Sequence, residues 1–232
     1  SDLSAPQILE FGFQHVALAT GSRWRKDGKG RQHPQGIDAH SVHCLTPDDV
    51  MAGVSIQSPV VIYDDDHYFM ASVLAEKLRL IGHEVIYVSP ANEVAQWTYN
   101  TMEQGRIQAR LMEIGVELVL GQSLGGILPD EITVHYKYSD KRARIGFGSL
   151  ILVTMRDPDD SLYHELTKDP SHLKQAGIQS TTRLGDCLAP GLIAAAVYSG
   201  HRYARELDAM PTSPDITPFK RELVALSRDW PY

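Results

Sequence analysis

Between Pro59 and Pro90 the chain switches twice between two hydrophobic periods. Val60-Val61-Ile62-Tyr63 is an unbroken apolar run, short enough for a strand buried on both faces. Met70, Val73, Leu74, Leu78 and Ile81 then recur at helical spacing until Gly82 stops them. Val85-Ile86-Tyr87-Val88 is a second buried run. Strand, helix and strand in this order predict a βαβ unit. Farther along, Glu103 to Ile114 predicts a helix stopped by Gly115, and residues 116–120 predict a third strand. Residues 131–138 and 142–147 alternate apolar and polar positions across the turn Ser139-Asp140-Lys141, as an antiparallel hairpin does. Leu150 to Thr154 closes the series as another buried strand. The predicted class is α/β, with a Rossmann-like three-layer (ββα) nucleotide-binding domain over residues 58–156.

The flanks are less regular. Residues 13–20 read as a buried strand ending at Gly21, followed by a polar loop rich in glycine and basic residues. A short helix follows the connection from Asp38, with Thr46 as N-cap and Pro47 at its first position. After Arg156 come a polar helix over residues 160–168 and the stretch Thr182-Arg183-Leu184-Gly185-Asp186. A long helix over residues 190–207 carries many small side chains suited to close packing. The tail, with Pro211, Pro214, Pro218 and Pro231, reads as an extended strap. No glycine fingerprint precedes residue 13, and the chain opens on Ser1 without Met, so it is expected to be processed or excised and to begin within a domain.

The turn after the first buried run carries the informative chemistry. A dinucleotide-binding unit would place the glycines of G-x-G-x-x-G at Asp64, Asp66 and Phe69, and a ribose-binding acid at Ser89. Glycines let the backbone approach a pyrophosphate held at the helix N-terminus. Asp64, Asp65 and Asp66 put side chains and negative charge there instead. Carboxylates suit a helix start, so the expectation is a capped, solvated turn that excludes the dinucleotide.

Composition narrows the classes. The chain has 232 residues, 43% hydrophobic and 22% charged, with a formal charge of -7. That charge argues against nucleic acid or an anionic membrane as the main partner. No apolar run reaches the length of a membrane span, and no signal-peptide pattern opens the chain. Cys44 and Cys187 are far apart, unable to hold a four-cysteine cluster alone and unlike a secreted disulfide framework, so a cytoplasmic setting is expected.

Several residues invite sharper readings. Asp64-Asp65-Asp66-His67 offers metal ligands, but successive side chains cannot all point inward. His33, His40, His43 and Cys44 have no recurrent zinc spacing. Gly121-Gln122-Ser123-Leu124-Gly125 matches a nucleophile elbow in letters but precedes strands, so a loop is expected. Trp97 and Tyr99 are expected to fill space that a nicotinamide would otherwise occupy. Arg23, Arg25, Lys26, Lys29 and Arg31 read as a solvated surface loop. No catalytic residue and no metal ligand are assigned.

The order of motifs resembles flavoproteins with paired dinucleotide-binding domains, such as the disulfide reductases. The stretches ALATGSRW, LTPDDVMAG, VVIYDDDHYFMASVLAEKLRLIGHEVIYVS, SLILVT, LGDCLAPGLIAAAVYSGHRYAREL and FKREL more closely resemble the trimethylamine and dimethylamine dehydrogenases, relatives of 2,4-dienoyl-CoA reductase. The resemblance implies the C-terminal portion of a larger enzyme that oxidises an amine. It implies an upstream TIM barrel with FMN and a four-iron–four-sulfur cluster, and electrons passing to an electron-transferring flavoprotein. Residues 1–57 and 157–232 would form part of a second FAD/NAD(P)-binding-like domain holding ADP, or FAD. Thr20, Gly21, Gly185 and Asp186 would border that site, and the chain alone would bind ADP weakly or not at all. The parent is expected to be a homo-oligomer. Met155, where nucleotide-binding relatives carry the glycine of a TGR-like motif, speaks further against NAD. A free-standing docking module and an NAD(P)H-dependent reductase are the alternatives.

Overall fold

A computed structural model describes residues 3–37 and 44–207. In chain order the elements begin with α1 (Ala5–Glu10), β1 (His15–Leu18), β2 (Ser22–Trp24), β3 (Cys44–Leu45) and α2 (Pro47–Met51). Then come β4 (Val60–Asp64), α3 (Phe69–Leu80), β5 (Val85–Ser89), a 3-10 turn (Gln96–Thr101), α4 (Gln104–Glu113) and β6 (Glu117–Leu120). β7 (Gln122–Ile127), β8 (Glu131–Tyr136), β9 (Arg142–Gly146), β10 (Ser149–Val153) and β11 (Arg156–Pro158) follow. The last are α5 (Ser161–Thr167), α6 (Pro170–Gln175), β12 (Ser180–Arg183), a short 3-10 turn (Gly185–Cys187) and α7 (Ile193–Glu206). These make two compact units, residues 1–22 with 158–232, and residues 23–157.

The larger unit is built on a parallel sheet in the order β3-β10-β4-β5-β6. Its central strands are buried on both faces, which explains their unbroken apolar runs. Alternation still sorts the side chains. Val60, Ile62, Tyr87, Ile151 and Val153 face Leu74, Leu78 and Leu111 of α3 and α4. Val61, Tyr63, Ile86, Val88, Leu150 and Leu152 face Leu124, Ile132 and Val134 of the antiparallel sheet β7-β8-β9. This unit therefore has helices, a parallel sheet and an antiparallel sheet in three layers. Gly82 and Gly115 end α3 and α4 with φ of +99° and +76°, a conformation that strains any side chain. Thr46 caps α2 as expected, its hydroxyl accepting the Asp49 N–H at 3.2 Å while Asp49 reaches back to the Thr46 N–H at 2.9 Å.

Two expectations change. The GQSLGG stretch is strand β7, antiparallel to β8 with a register shift between Leu124 and Gly126. A Cβ at Gly125 would overlap the His135 ring, so the glycine serves close strand contact. The stretch expected as a buried strand at residues 13–20 is a four-residue strand in which only Leu18 is buried. Among the described residues it pairs only with β12, and the cluster it joins there is small: Ala5, Leu18, Leu166 and Cys187. By compactness, the larger unit begins at Arg23. Residues 23–57 group with the larger unit because they supply β3, α2 and a loop held to the end of β4. The proline-rich tail with FKREL, and Asp38, His40 and His43, lie outside the described residues.

Candidate functional site

The four residues that the resemblance singled out come together at one place. β1 and β12 run parallel in register, from His15 opposite Ser180 to Leu18 opposite Arg183. Thr20-Gly21 and Gly185-Asp186 therefore leave the same, C-terminal, edge of this strand pair, the edge where open α/β sheets bind ligands. The Leu184 N–H bonds to the Leu18 carbonyl at 2.8 Å and keeps the two exits side by side. Gly21 has φ of +86°, and nothing lies within 4 Å of where its Cβ would be. Gly185, at φ +57°, is pressed against Ala196 of α7, 3.3 Å from the position of a Cβ. That contact is one use of the small residues in α7.

Asp186 is the charged group at this edge. It is half-buried, and its carboxylate accepts the Ser22 hydroxyl at 3.0 Å and the Gly191 N–H at 3.1 Å. The second bond fixes the loop that leads into α7. The Thr20 hydroxyl donates to the Asp159 carbonyl and lies 3.1 Å from the Cys187 sulfur. The Gly185 N–H donates to the Ser199 hydroxyl at 3.1 Å. Ser22, Gly191, Cys187 and Ser199 thus position the four residues. Sequence reasoning did not assign them. Ser22 directly follows the Thr-Gly pair, but only the strand register shows that it meets Asp186.

The corresponding edge of the larger unit is closed. Asp64 and Asp65 do not cap α3, which starts at Phe69 with Tyr68 as an N-cap lacking a side-chain bond. Both carboxylates are fully buried. Asp64 accepts the Tyr87 hydroxyl and, at 2.9 Å, the His67 N–H. The Ser89 hydroxyl donates to the Asp64 carbonyl at 2.9 Å. Asp65 accepts the Gln32 N–H at 2.9 Å, and a Cβ at Gly30 would overlap its carboxylate. The expected solvated turn is thus a buried polar knot. It forms because strand β4 runs one residue farther than its apolar pattern, carrying Asp64 into the sheet.

Burial sets the charges there. Desolvation pushes the Asp64 carboxyl up to about 7, opposed by the Tyr87 and His67 bonds, and Asp65 up to about 6, opposed by backbone N–H groups of Gln32 and Arg31. Asp66 is also raised by burial, against the nearby cations Arg156 and Arg31. His67 falls to about 4 through burial and the charges of Arg31 and Lys137, so it is neutral at pH 7. It adopts φ of +64°, and its Nε2 lies 3.7 Å from Asp65 Oδ1.

The basic loop is not simply solvated. Gly28 and Gly30 are buried, and Arg25 is held by Asp27 and Asp157. Arg31 lies over the Trp97 ring at 5.6 Å, yet Trp97 and Tyr99 are 46% and 57% exposed. They therefore fill no nicotinamide space. Val94, Ala95 and Thr98 are the buried residues of that segment. Ser123 lies within β7, so it makes no elbow. Cys44 and Cys187 are buried free thiols. Among the described residues no group of three or more His, Cys, Asp or Glu side chains is placed to hold a metal ion, and no helix is long and apolar enough to cross a membrane.

Comparison with known proteins places this geometry. Residues 45–151 match the family described as the OYE-like second alpha/beta domain. The chain is 31% identical to dimethylamine dehydrogenase from Hyphomicrobium sp. (strain x), over 95% of its own length and 33% of that protein. Its structure superposes on histamine dehydrogenase from Rhizobium sp. 4-9 with a TM-score of 0.88 and 43% identity, covering 97% of this chain and 33% of the other. For 6-hydroxypseudooxynicotine amine oxidase from Pseudomonas geniculata N1 the TM-score is 0.78 and the identity 35%, over 86% and 30% of the two chains. The chain spans about a third of the length of these relatives. Over nearly its whole length the chain resembles the trimethylamine/dimethylamine dehydrogenase family.

Proposed function

We propose that this chain is the nucleotide-binding-like region of an FMN and iron–sulfur oxidoreductase that oxidises an amine. The observation that carries the reading is the likeness to histamine dehydrogenase, which runs through nearly all of this chain at 43% identity. On this reading the larger unit is a degenerate, Rossmann-like NAD domain, and the smaller is part of an ADP- or FAD-binding domain. The region is structural and binds nucleotide; it has no role in catalysis. An upstream TIM barrel, an electron-transferring flavoprotein as acceptor, a homo-oligomeric parent and a cytoplasmic location complete the proposal.

The residues present divide the cofactors. The edge at Thr20, Gly21, Gly185 and Asp186 fits ADP or FAD, because the space at Gly21 is open and backbone can approach a ligand there. Asp186 would accept a hydrogen bond from a ribose or ribityl hydroxyl; its negative charge would repel a phosphate. FMN supplies the acceptor for the electrons of amine oxidation when bound, and no residue described in this chain is assigned to it. The cluster does not fit here, since Cys44 and Cys187 are the only cysteines and both are buried. The closed edge beside Asp64 argues against an NAD(P)H reductase. Heat denaturation of the intact protein and mass spectrometry of the released nucleotide test the reading. ADP or FAD bound one to one, and lost in Asp186→Ala, is expected. Saturable NADH binding that disappears when the Asp64 turn is altered would sink it.

A further inference from the structure

Two buried carboxylates beneath a loop leave something unexplained by this resemblance. Asp65 uses one oxygen to hold the loop, through the Gln32 N–H at 2.9 Å. The other oxygen, Oδ1, is buried without a hydrogen-bond partner, and so is the hydroxyl of Thr154. Both side chains border Gly30, the glycine that lets the loop descend onto them. The Gly30 N–H bonds to the His33 carbonyl at 3.2 Å, and the Ile37 N–H to the Asp27 carbonyl at 2.8 Å, so residues 27–37 are closed on themselves and rest on the strand end as one piece. Few apolar side chains hold this piece; Ile37 is the one that joins the hydrophobic cluster. Lifting it would hydrate Asp65.

We propose that the loop of residues 27–37 is a proton-linked cap, whose closure over the end of β4 is accompanied by proton uptake at Asp65. A protonated carboxyl can donate to a neighbouring acceptor and carries no charge into the dry site, whereas the ionised form is better solvated with the loop lifted. The cap is therefore tightest in acid and loosens as pH rises. Every group facing Asp65 bears on this balance. Asp66 adds negative charge from the same turn, Asp64 adds it only as pH rises through about 7, and Tyr63 and neutral His67 add none. Tyr87 bonds Asp64 from β5. Arg31 on the loop, with Arg156 and Lys137 nearby, supplies the positive charge that limits the effect. His33, on the loop, has its imidazole held below the usual value by burial. Asp64 is instead tied to Tyr87 and His67.

Hydrogen–deuterium exchange of residues 27–37 in the intact polypeptide, corrected for intrinsic exchange, tests the cap. With Asp65 at about 6 when covered and near 3.8 when open, protection should be about tenfold greater at pH 5 than at pH 8. Asp65→Asn keeps the shape and an acceptor for Gln32, and should remove that tenfold dependence. Equal protection at both pH values in the wild type, or an unchanged dependence in Asp65→Asn, would overturn the proposal. Should Asp65→Asn fail to fold, infrared titration of the unaltered protein decides. Protonated carboxylic acid intensity lost near pH 6 as loop exchange rises, apart from the loss due to Asp64 near pH 7, supports the cap, and the lack of any loss near pH 6 refutes it.

Discussion

Each unit presents the C-terminal edge of parallel strands, and the two edges have opposite characters. In the smaller unit the chain leaves β1 through Thr20-Gly21, where a glycine at φ +86° has open space around it, and Asp186 is half-buried. In the larger unit the chain leaves β4 through Asp64-Asp65, fully buried and covered by a loop. The backbone plan is shared. The side chains at the first turn decide whether the edge is left open or is filled by the protein itself. The cores differ as well. The larger unit has two extensive clusters on the faces of one sheet, whereas among the described residues the cluster of the smaller has four buried members and α7 buries none.

This contrast is most easily broken by deletion in the larger core. Leu152→Ala, at a fully buried position between the two sheets, should destabilise that unit by about 2–5 kcal/mol in chemical denaturation. A loss below about 1 kcal/mol would mean that the clusters are less tightly packed than their burial indicates. Tyr87→Phe sharpens the point at the filled edge. It removes the hydroxyl that donates to Asp64 and should cost about 1.5–3 kcal/mol where the carboxylate is ionised. The sign with pH follows from Asp64. Its folded value of about 7 exceeds the usual 3.8, so the folded state holds the proton more tightly and Asp64 lowers stability as pH rises from about 4 through 7. The cost of Tyr87→Phe should therefore be larger at pH 8 than at pH 5. Equal costs at both would show that Asp64 does not titrate there.

The filled edge also marks what the sequence could and could not convey. The apolar runs at residues 60–63 and 85–88 fixed a parallel sheet, because strands buried on both faces must be apolar throughout. Thr46-Pro47, Gly82 and Gly115 located helix ends through local chemistry alone. Exclusion of a glycine loop was equally legible at Asp64. Its physical cause was not: the acids looked like caps because capping is local, whereas their true partners, Tyr87 and Gln32, lie 23 and 33 residues away. Strand β7 was missed for a related reason. Its two glycines weaken every propensity signal, and the need for Gly125 appears only once His135 is placed across the ladder. At the open edge, the resemblance pointed to Thr20, Gly21, Gly185 and Asp186, but the Ser22 bond to Asp186 spans 164 residues and follows from a pairing 165 residues apart, between His15 and Ser180, whereas the Gly191 bond is local.

A smaller effect separates open space from easy backbone at the open edge. Gly21→Ala meets no atom within 4 Å, yet its φ of +86° is unfavourable for any residue with a Cβ. The expected cost is about 1–2 kcal/mol of stability, measurable by thermal denaturation. No cost would show that the turn relaxes to negative φ, and the path of the chain out of β1 would then differ from the one described.

The smallest expected effect lies on α7. Val197 is 53% exposed, and no residue of this helix is buried. In the 232-residue chain, Val197→Ala should therefore change stability by no more than about 0.5 kcal/mol. Its direction should be slightly stabilising, because Ala loses no side-chain entropy in a helix and Val does. The same substitution at a covered position removes two methylene-sized groups from contact and costs more than a helix-propensity gain returns. The sign thus reports coverage independently of the size of the effect. Measured in the chain and again in the intact polypeptide, a change from slightly stabilising to destabilising would show that this face is covered by residues outside the chain. An unchanged sign would leave α7 as exposed in the whole protein as it is here, and the contrast between the two cores would then be a property of the units themselves.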